Sequence, residues 1–279
     1  MSKRAREDTN RDSRKKYKFS TGIVEPCVSG IYATCARKHE KQAAQELESF
    51  FQEKLEEYYG DELNEDNNTS GDDDDISVED KIKKELDVLK AKKTGPKNKE
   101  ILKFMDLNCE CVIFCKTRKP IVPETFVRRI MQEFADPKVN FKRTRYVQKL
   151  TPVTFSRNAS IAELSKLSQQ VLKDHFHEAG TPPLKFAVEV TRRNFNTIEK
   201  LDIIKEVAKQ VGKDGQLEHK VDLKNYDKLV LVECFKNNIG MSVVDSDYRE
   251  QYKKYNIQQI FEAKLKKEIL DKQSLEANK

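Results

Sequence analysis

LKFAVEVTRRNFNTIE, residues 184–199, changes its period halfway along. Leu184, Phe186, Val188 and Val190 alternate with Lys185, Ala187, Glu189 and Thr191, the period of two of a strand. From Ile198 the apolar residues follow helical spacing: Ile198, Leu201, Ile204, Val207, Ala208 and Val211, with Gly212 as the stop and Asn196 or Thr197 as the cap. Arg192, Arg193 and Asn194 stand between the two patterns. In open α/β sheets, ligands lie beyond the carboxyl ends of strands. The free N–H groups of a following helix attract anions, and guanidinium groups clasp phosphate bidentately. The junction therefore reads as a phosphate grip; a solvated arginine pair in a loop is the alternative.

Working outward, strand and helix alternate four times before a few closing strands, which gives an α/β chain of two small domains divided near residue 150. The first, residues 29–149, opens with a strand (Ile31, Ala33, Cys35) and a helix over 38–59 that Gly60 ends. Residues 108–116 form its next strand, with Cys109, Cys111, Ile113 and Cys115 on one face. A helix starts at Pro123, with Phe126, Val127, Ile130, Met131 and Phe134 as its stripe. The second domain, 150–246, opens with extended chain broken near Pro152 and a capping box at Ser160 and Glu163. The helix they start carries Ile161, Leu164, Leu167, Ser168, Val171 and Leu172 on one face. It closes with HKVDLK, KLVLVECF and IGMSVV, the middle run apolar throughout, as in a strand covered on both faces. A Lys-rich helical tail fills 247–279.

Charge divides the chain more sharply than its net +6 suggests. Residues 61–80 carry ten acids and no base, and setting them aside raises the remainder to +16. So basic a remainder points to a polyanionic partner. The acidic block lies in a disordered insertion, 61–99, with a short helix over 81–93, and residues 1–28 read as a disordered basic arm. KRAR and RKKYK within that arm read as nuclear-localisation patches, placing the chain in the nucleus or nucleolus and also the cytoplasm; a solvated arm is the alternative. No apolar run suggests a secretory signal or membrane span, and the six cysteines are expected as thiols.

The strongest functional signal is KVNFKRTRYVQKLTPVTFSRNAS, residues 138–160. Lys138, Lys142, Arg143, Arg145, Lys149 and Arg157 are unaccompanied by acids, and Phe141, Tyr146 and Phe155 are interleaved. Cations neutralise phosphates and aromatic rings stack on unpaired bases, so a basic strand over 142–149 reads as a nucleic-acid contact. An exposed basic face with core-facing aromatics is the alternative. Lys116, Arg118 and Lys119 extend the track or form a polar loop. Cys109, Cys111 and Cys115 lack the paired spacing of a zinc site and read as buried thiols. His175 and His177 diverge at a helix end. G-K-D-G at 212–215 has the form of a KH clamp but precedes a strand pattern, so it reads as a helix stop and turn. No P-loop or hydrolase motif and no loop for a small-molecule substrate or cofactor is recognisable, which argues for binding without catalysis.

ASIAELSKL, FAVEVTRRNFN, KQVG and HKVDLKNYDKLVLVECFKNNIGMSVVD together resemble a THUMP domain over roughly 150–250, most of all in the V-D-L-x-N-x-D pattern that leads to Glu233. Residues 29–149 resemble the ferredoxin-like region that precedes such domains, here with an acidic insertion. The whole chain is similar to the stand-alone eukaryotic THUMP proteins of the tRNA acetyltransferase system. That resemblance implies a tRNA-binding adaptor for a separate RNA cytidine acetyltransferase that forms N4-acetylcytidine in the D-arm of serine and leucine tRNAs. Two readings from other classes stand beside it: an RNA-modifying enzyme with an unrecognised active site, and a ribosome-assembly interaction factor.

Overall fold

The structure, a computed structural model, describes residues 20–21, 24–65, 101–139 and 142–277. Most of the basic arm, the acidic block beyond Glu65, the expected helix over 81–93 and Phe141 lie outside the described residues.

The first half comprises β1 (Ser20–Thr21), β2 (Ser29–Cys35), α1 (Glu40–Glu65), β3 (Leu102–Asp106), β4 (Val112–Thr117), α2 (Pro123–Ala135) and β5 (Val147–Val153). From β2 to β5 the order βαββαβ is that of a ferredoxin-like unit. Its sheet runs β1-β3-β4-β2-β5, with β1 parallel to β3 and the β3–β4, β4–β2 and β2–β5 pairs antiparallel. Ile31, Ala33, Phe104, Ile113 and Cys115 face α1 and α2, whose Leu47, Phe51, Phe126 and Ile130 are buried with them. Tyr32, Met105 and Phe114 line the other face, closed by Val24, Val28 and Phe235.

Several boundaries differ from the sequence expectations. α1 runs through Gly60 to Glu65, because Tyr58, Tyr59 and Leu63 carry its apolar stripe onward against the core. Order begins before Ser29, since Val24 and Val28 plug the open sheet face. β3 is unexpected: its LKFMD alternation is too short to stand out beside the charged residues preceding it. Cys109 and Cys111 lie in the turn before β4, Cys111 at φ 62°, so only Ile113 and Cys115 share the strand face expected for all four. The stretch 142–146 is loop, and β5 starts at Val147.

The second half holds β6 (Phe155–Asn158), α3 (Ile161–Phe176), β7 (Lys185–Arg193), α4 (Lys200–Val211), β8 (Lys220–Val221), β9 (Lys228–Phe235) and β10 (Asn238–Asp245). The order is β6-β10-β9-β7-β8, with β7 parallel to β8 and β9, and β10 antiparallel to β6 and β9. The Ser160 hydroxyl accepts from the Glu163 N–H, the capping bond that starts α3. α4 is capped at Glu199, later than expected, and turns Ile203, Val207 and Val211 inward while Leu201 is exposed. HKVDLK shrinks to two strand residues because the Asp222 carboxylate takes the N–H groups of Lys224 and Asn225 and turns the chain. β9 is covered on both sides: Val230, Val232 and Cys234 face α3 and α4, and Leu229 and Leu231 face the opposite core.

That opposite core is completed by the C-terminal segment, α5 (Asp247–Glu250), a 3₁₀ turn (Lys253–Tyr255) and α6 (Ile257–Ala277). Tyr248, Tyr252, Tyr255, Ile257, Ile260 and Phe261 are buried against both halves. α2 adds polar ties across the junction: Arg128 pairs with Asp245 and Asp247, and Glu124 accepts the Val243 N–H at 2.6 Å.

Candidate nucleic-acid interface

The carboxyl ends of β7 and β9 reach the same end of the second sheet. There Arg157, Ile239, Cys234 and Arg192 are successive register partners across β6, β10, β9 and β7. Arg157 and Arg192 thus mark the two ends of one row, three strand spacings or about 14 Å apart. Both stand on the helix side. Arg157 pairs with Glu163 at 3.1 Å and bonds Gln170 at 3.2 Å. Arg192 lies 3.8 Å from the exposed Glu199 and donates to the Ile198 carbonyl at 3.4 Å.

Arg193 alternates to the opposite face, where its guanidinium is 3.6 Å from Glu233. Glu233, only 7% exposed, has its pKa pushed up by burial, against the pull of Arg193 and Lys149. Lys149, half-buried on β5 with its ammonium 5.9 Å from the centre of the Tyr248 ring, is pushed down by the same desolvation. Glu233, the last residue of the V-D-L-x-N-x-D pattern segment, thus pairs with an arginine between the two sheets. Asn194 follows at φ 50°, a left-handed conformation that asparagine tolerates better than most residues.

Arg192, Arg193 and Asn194 form one wall of a cleft of about 640 Å³ between the halves. The facing wall comes from the end of β2 and the turn before β4, including Arg37, Cys109 and Glu110. Arg37 was missed in the sequence reading, although it too follows a strand and precedes a helix. It pairs with Glu110 at 3.1 Å, both side chains mostly exposed, a geometry that contributes at most about 1 kcal/mol.

The remaining cations named from the sequence divide into groups. Arg145 takes Glu46 through its backbone N–H at 2.7 Å and lays its guanidinium 5.4 Å from the Tyr146 ring centre; Tyr146 itself stacks on His39 at 4.7 Å. Arg143 pairs with Glu53, and Lys142 donates to Gln258 at 2.6 Å, so these two turn toward α1 and α6. Lys116, Arg118 and Lys119 sit at the far end of the first sheet. Thr117 pairs with Ser29 there, whereas Val112 pairs with Thr34 beside the cleft. About 17 Å of strand separates them from it, and Lys116 pairs with Glu25 at 3.6 Å.

The histidines and cysteines have structural surroundings. His175 lies 3.3 Å from Glu124, while His177 meets the carbonyls of Gln210 and Val211. Burial pushes the Cys35 thiol up to about 12 and Cys115 well above its ordinary value. Among the described residues, no group of three or more His, Cys, Asp or Glu side chains is placed to hold a metal ion. No described helix is long and apolar enough to cross a membrane.

The class of the second half follows from its match: residues 158–244 match the THUMP domain family. The whole chain is 57% identical over 272 residues to the tRNA acetyltransferase TAN1 of Saccharomyces cerevisiae, covering 94% of each, and belongs to that protein's family. An uncharacterised Schizosaccharomyces pombe protein is 30% identical over 246 residues, covering 88% of this chain and 80% of its own. The crystal structure of PH1313 from Pyrococcus horikoshii Ot3 aligns at TM-score 0.42 and 12% identity over 77% of this chain, which spans 54% of that one.

Proposed function

We propose that this chain is a tRNA-binding adaptor that presents tRNA to a separate RNA cytidine acetyltransferase. The observation that carries the reading is the convergence of Arg192, Arg193 and Asn194 with Arg37 around one cleft at the carboxyl end of the THUMP sheet. Guanidinium and amide donors there suit phosphate and ribose oxygens, and shape supplies most of the selectivity. The full-length similarity to a protein named as a tRNA acetyltransferase directs the reading toward tRNA acetylation. The finer expectations of the sequence reading are part of the proposal: N4-acetylcytidine in the D-arm of serine and leucine tRNAs, in the nucleus or nucleolus and also the cytoplasm.

The test is acetyl transfer in a purified system. The chain alone, with acetyl-CoA and serine tRNA, is expected to retain tRNA on a filter and leave it unacetylated; adding the acetyltransferase yields N4-acetylcytidine. Acetylation by the chain alone would establish an enzyme in place of the adaptor. Failure to retain tRNA at moderate salt would favour the ribosome-assembly reading.

A further inference from the structure

Cys35 and Cys111 stand opposite each other where the cleft between the halves opens. The β2–β4 ladder ends with Thr34 paired to Val112, and the next rung is closed by the Cys35 N–H on the Cys111 carbonyl at 3.0 Å. Both residues line the cleft as free thiols, Cys35 buried and Cys111 half-buried. We propose that the pair is a redox-sensitive site. Hydrogen peroxide entering the cleft oxidises it to a disulfide that ties the end of β2, two residues before Arg37, to the turn before β4.

The spacing suits a bridge. Hydrogen-bonded partners on antiparallel strands hold their Cα atoms about 5.5 Å apart, inside the usual disulfide range of about 4.4–6.8 Å. Their Cβ atoms, about 5 Å apart in such a pair, must close by roughly 1 Å. Cys111 has the freedom to do so, because it belongs to the turn and not to the ladder. It sits at φ 62°, and its N–H goes to the Glu40 carboxylate at 2.9 Å instead of to β2. The two sulfurs divide the chemistry. Burial, with Glu40 and Cys111 adding to it, keeps the Cys35 thiol protonated. Cys111, open to the cleft, attacks first. Its sulfur takes one peroxide oxygen, the O–O bond breaks, and the other oxygen leaves as water with the thiol proton, giving a sulfenic acid. The Cys35 sulfur then attacks the Cys111 sulfur, and the sulfenic oxygen leaves as a second water with the Cys35 proton. The other ladder thiols lack such a partner: Cys115 stands between Ile31 and Phe104, and Cys234 between Ile239 and Arg192. The Cys109 thiol is turned elsewhere, 3.8 Å from the Glu110 carbonyl oxygen and 4.0 Å from the Asn194 side-chain amide.

The experiment treats the full-length reduced chain with hydrogen peroxide, alkylates the remaining thiols under denaturant and maps them by mass spectrometry. The expected result is a Cys35–Cys111 linked peptide, loss of these two alkylatable thiols, and recovery of both with dithiothreitol. Cys35→Ser is expected to stop the reaction at a Cys111 sulfenic acid that dimedone traps. Cys109→Ser is expected to leave the linked peptide unchanged. Cys35 and Cys111 still fully alkylatable after peroxide would overturn the proposal, and so would a Cys109–Cys111 link in place of the expected one. Oxidation of Cys115 and Cys234 at the same rate would overturn it too, because neither has a thiol across the ladder.

Discussion

At Gly30 there is no room for a methyl group. A Cβ there would stand 2.4 Å from the Phe114 ring and 2.5 Å from the Cys115 carbonyl oxygen, and the carbonyl, being backbone, cannot rotate away. Gly30→Ala is expected to lower stability by about 1–3 kcal/mol; an unchanged urea midpoint would contradict the packing described for β2 and β4. His177 supplies a pH signal. Burial lowers its pKa below the ordinary 6.5, outweighing the two carbonyls it meets. The folded chain therefore favours neutral imidazole more than the unfolded chain does. That contribution is complete above pH 6.5 and declines as pH falls through it. His177→Gln is expected to flatten this part of the stability–pH curve, read as Tm between pH 7.5 and 5. Arg192, Arg193 and Asn194 were legible because they interrupt two clear periods. The engagement of Arg193 with Glu233 was not, because the partners are 40 positions apart and meet only through the β7–β9 register.

Among the elements, α3 was the most readable: its cap and its stripe from Leu164 to Leu172 are local features, although Ile161, expected on that stripe, is exposed. Ser160→Ala removes the one side-chain acceptor at its start and is expected to cost about 1 kcal/mol, seen as a lower Tm; no change would mean that water satisfies the Glu163 N–H equally well. α4 was readable in kind but not in phase, since Leu201 and Ile203 compete for the inward position and packing on the sheet selects Ile203. The 142–149 segment misled for a different reason. Alternating cations and aromatics mimic a strand, but residues 142–146 are fastened to α1 and α6 through Glu46, Glu53 and Gln258, leaving only the part from Val147 onward to pair with β2. Cations spaced like a strand can therefore be distributed over three elements, and beside the turn that carries Arg37 the segment offers the Tyr146 carbonyl, which accepts the Ala36 N–H.

At the scale of the molecule, the C-terminal segment binds the halves together. The Lys-rich composition of the helical tail describes its outer face; the tyrosines on its inner face fill the space between sheets. Tyr255, 1% exposed and edge-on to Tyr248 at 4.8 Å, is central to that packing. Tyr255→Ala is expected to cost about 3–5 kcal/mol and to lower the melting of both halves in one transition; two separate transitions would show that the halves fold independently. The cleft depends on this junction, because Arg37 and Arg193 come from different sheets. The salt dependence of tRNA binding tests the cleft most directly. The variant should combine Arg192→Gln and Arg193→Gln with Glu233→Gln, so that no buried carboxylate is left unpaired. With folding confirmed by its melt, this variant should bind tRNA at least about tenfold more weakly and with a salt slope reduced by roughly 1.4–1.8. Wild-type affinity and slope in the folded variant would contradict the account.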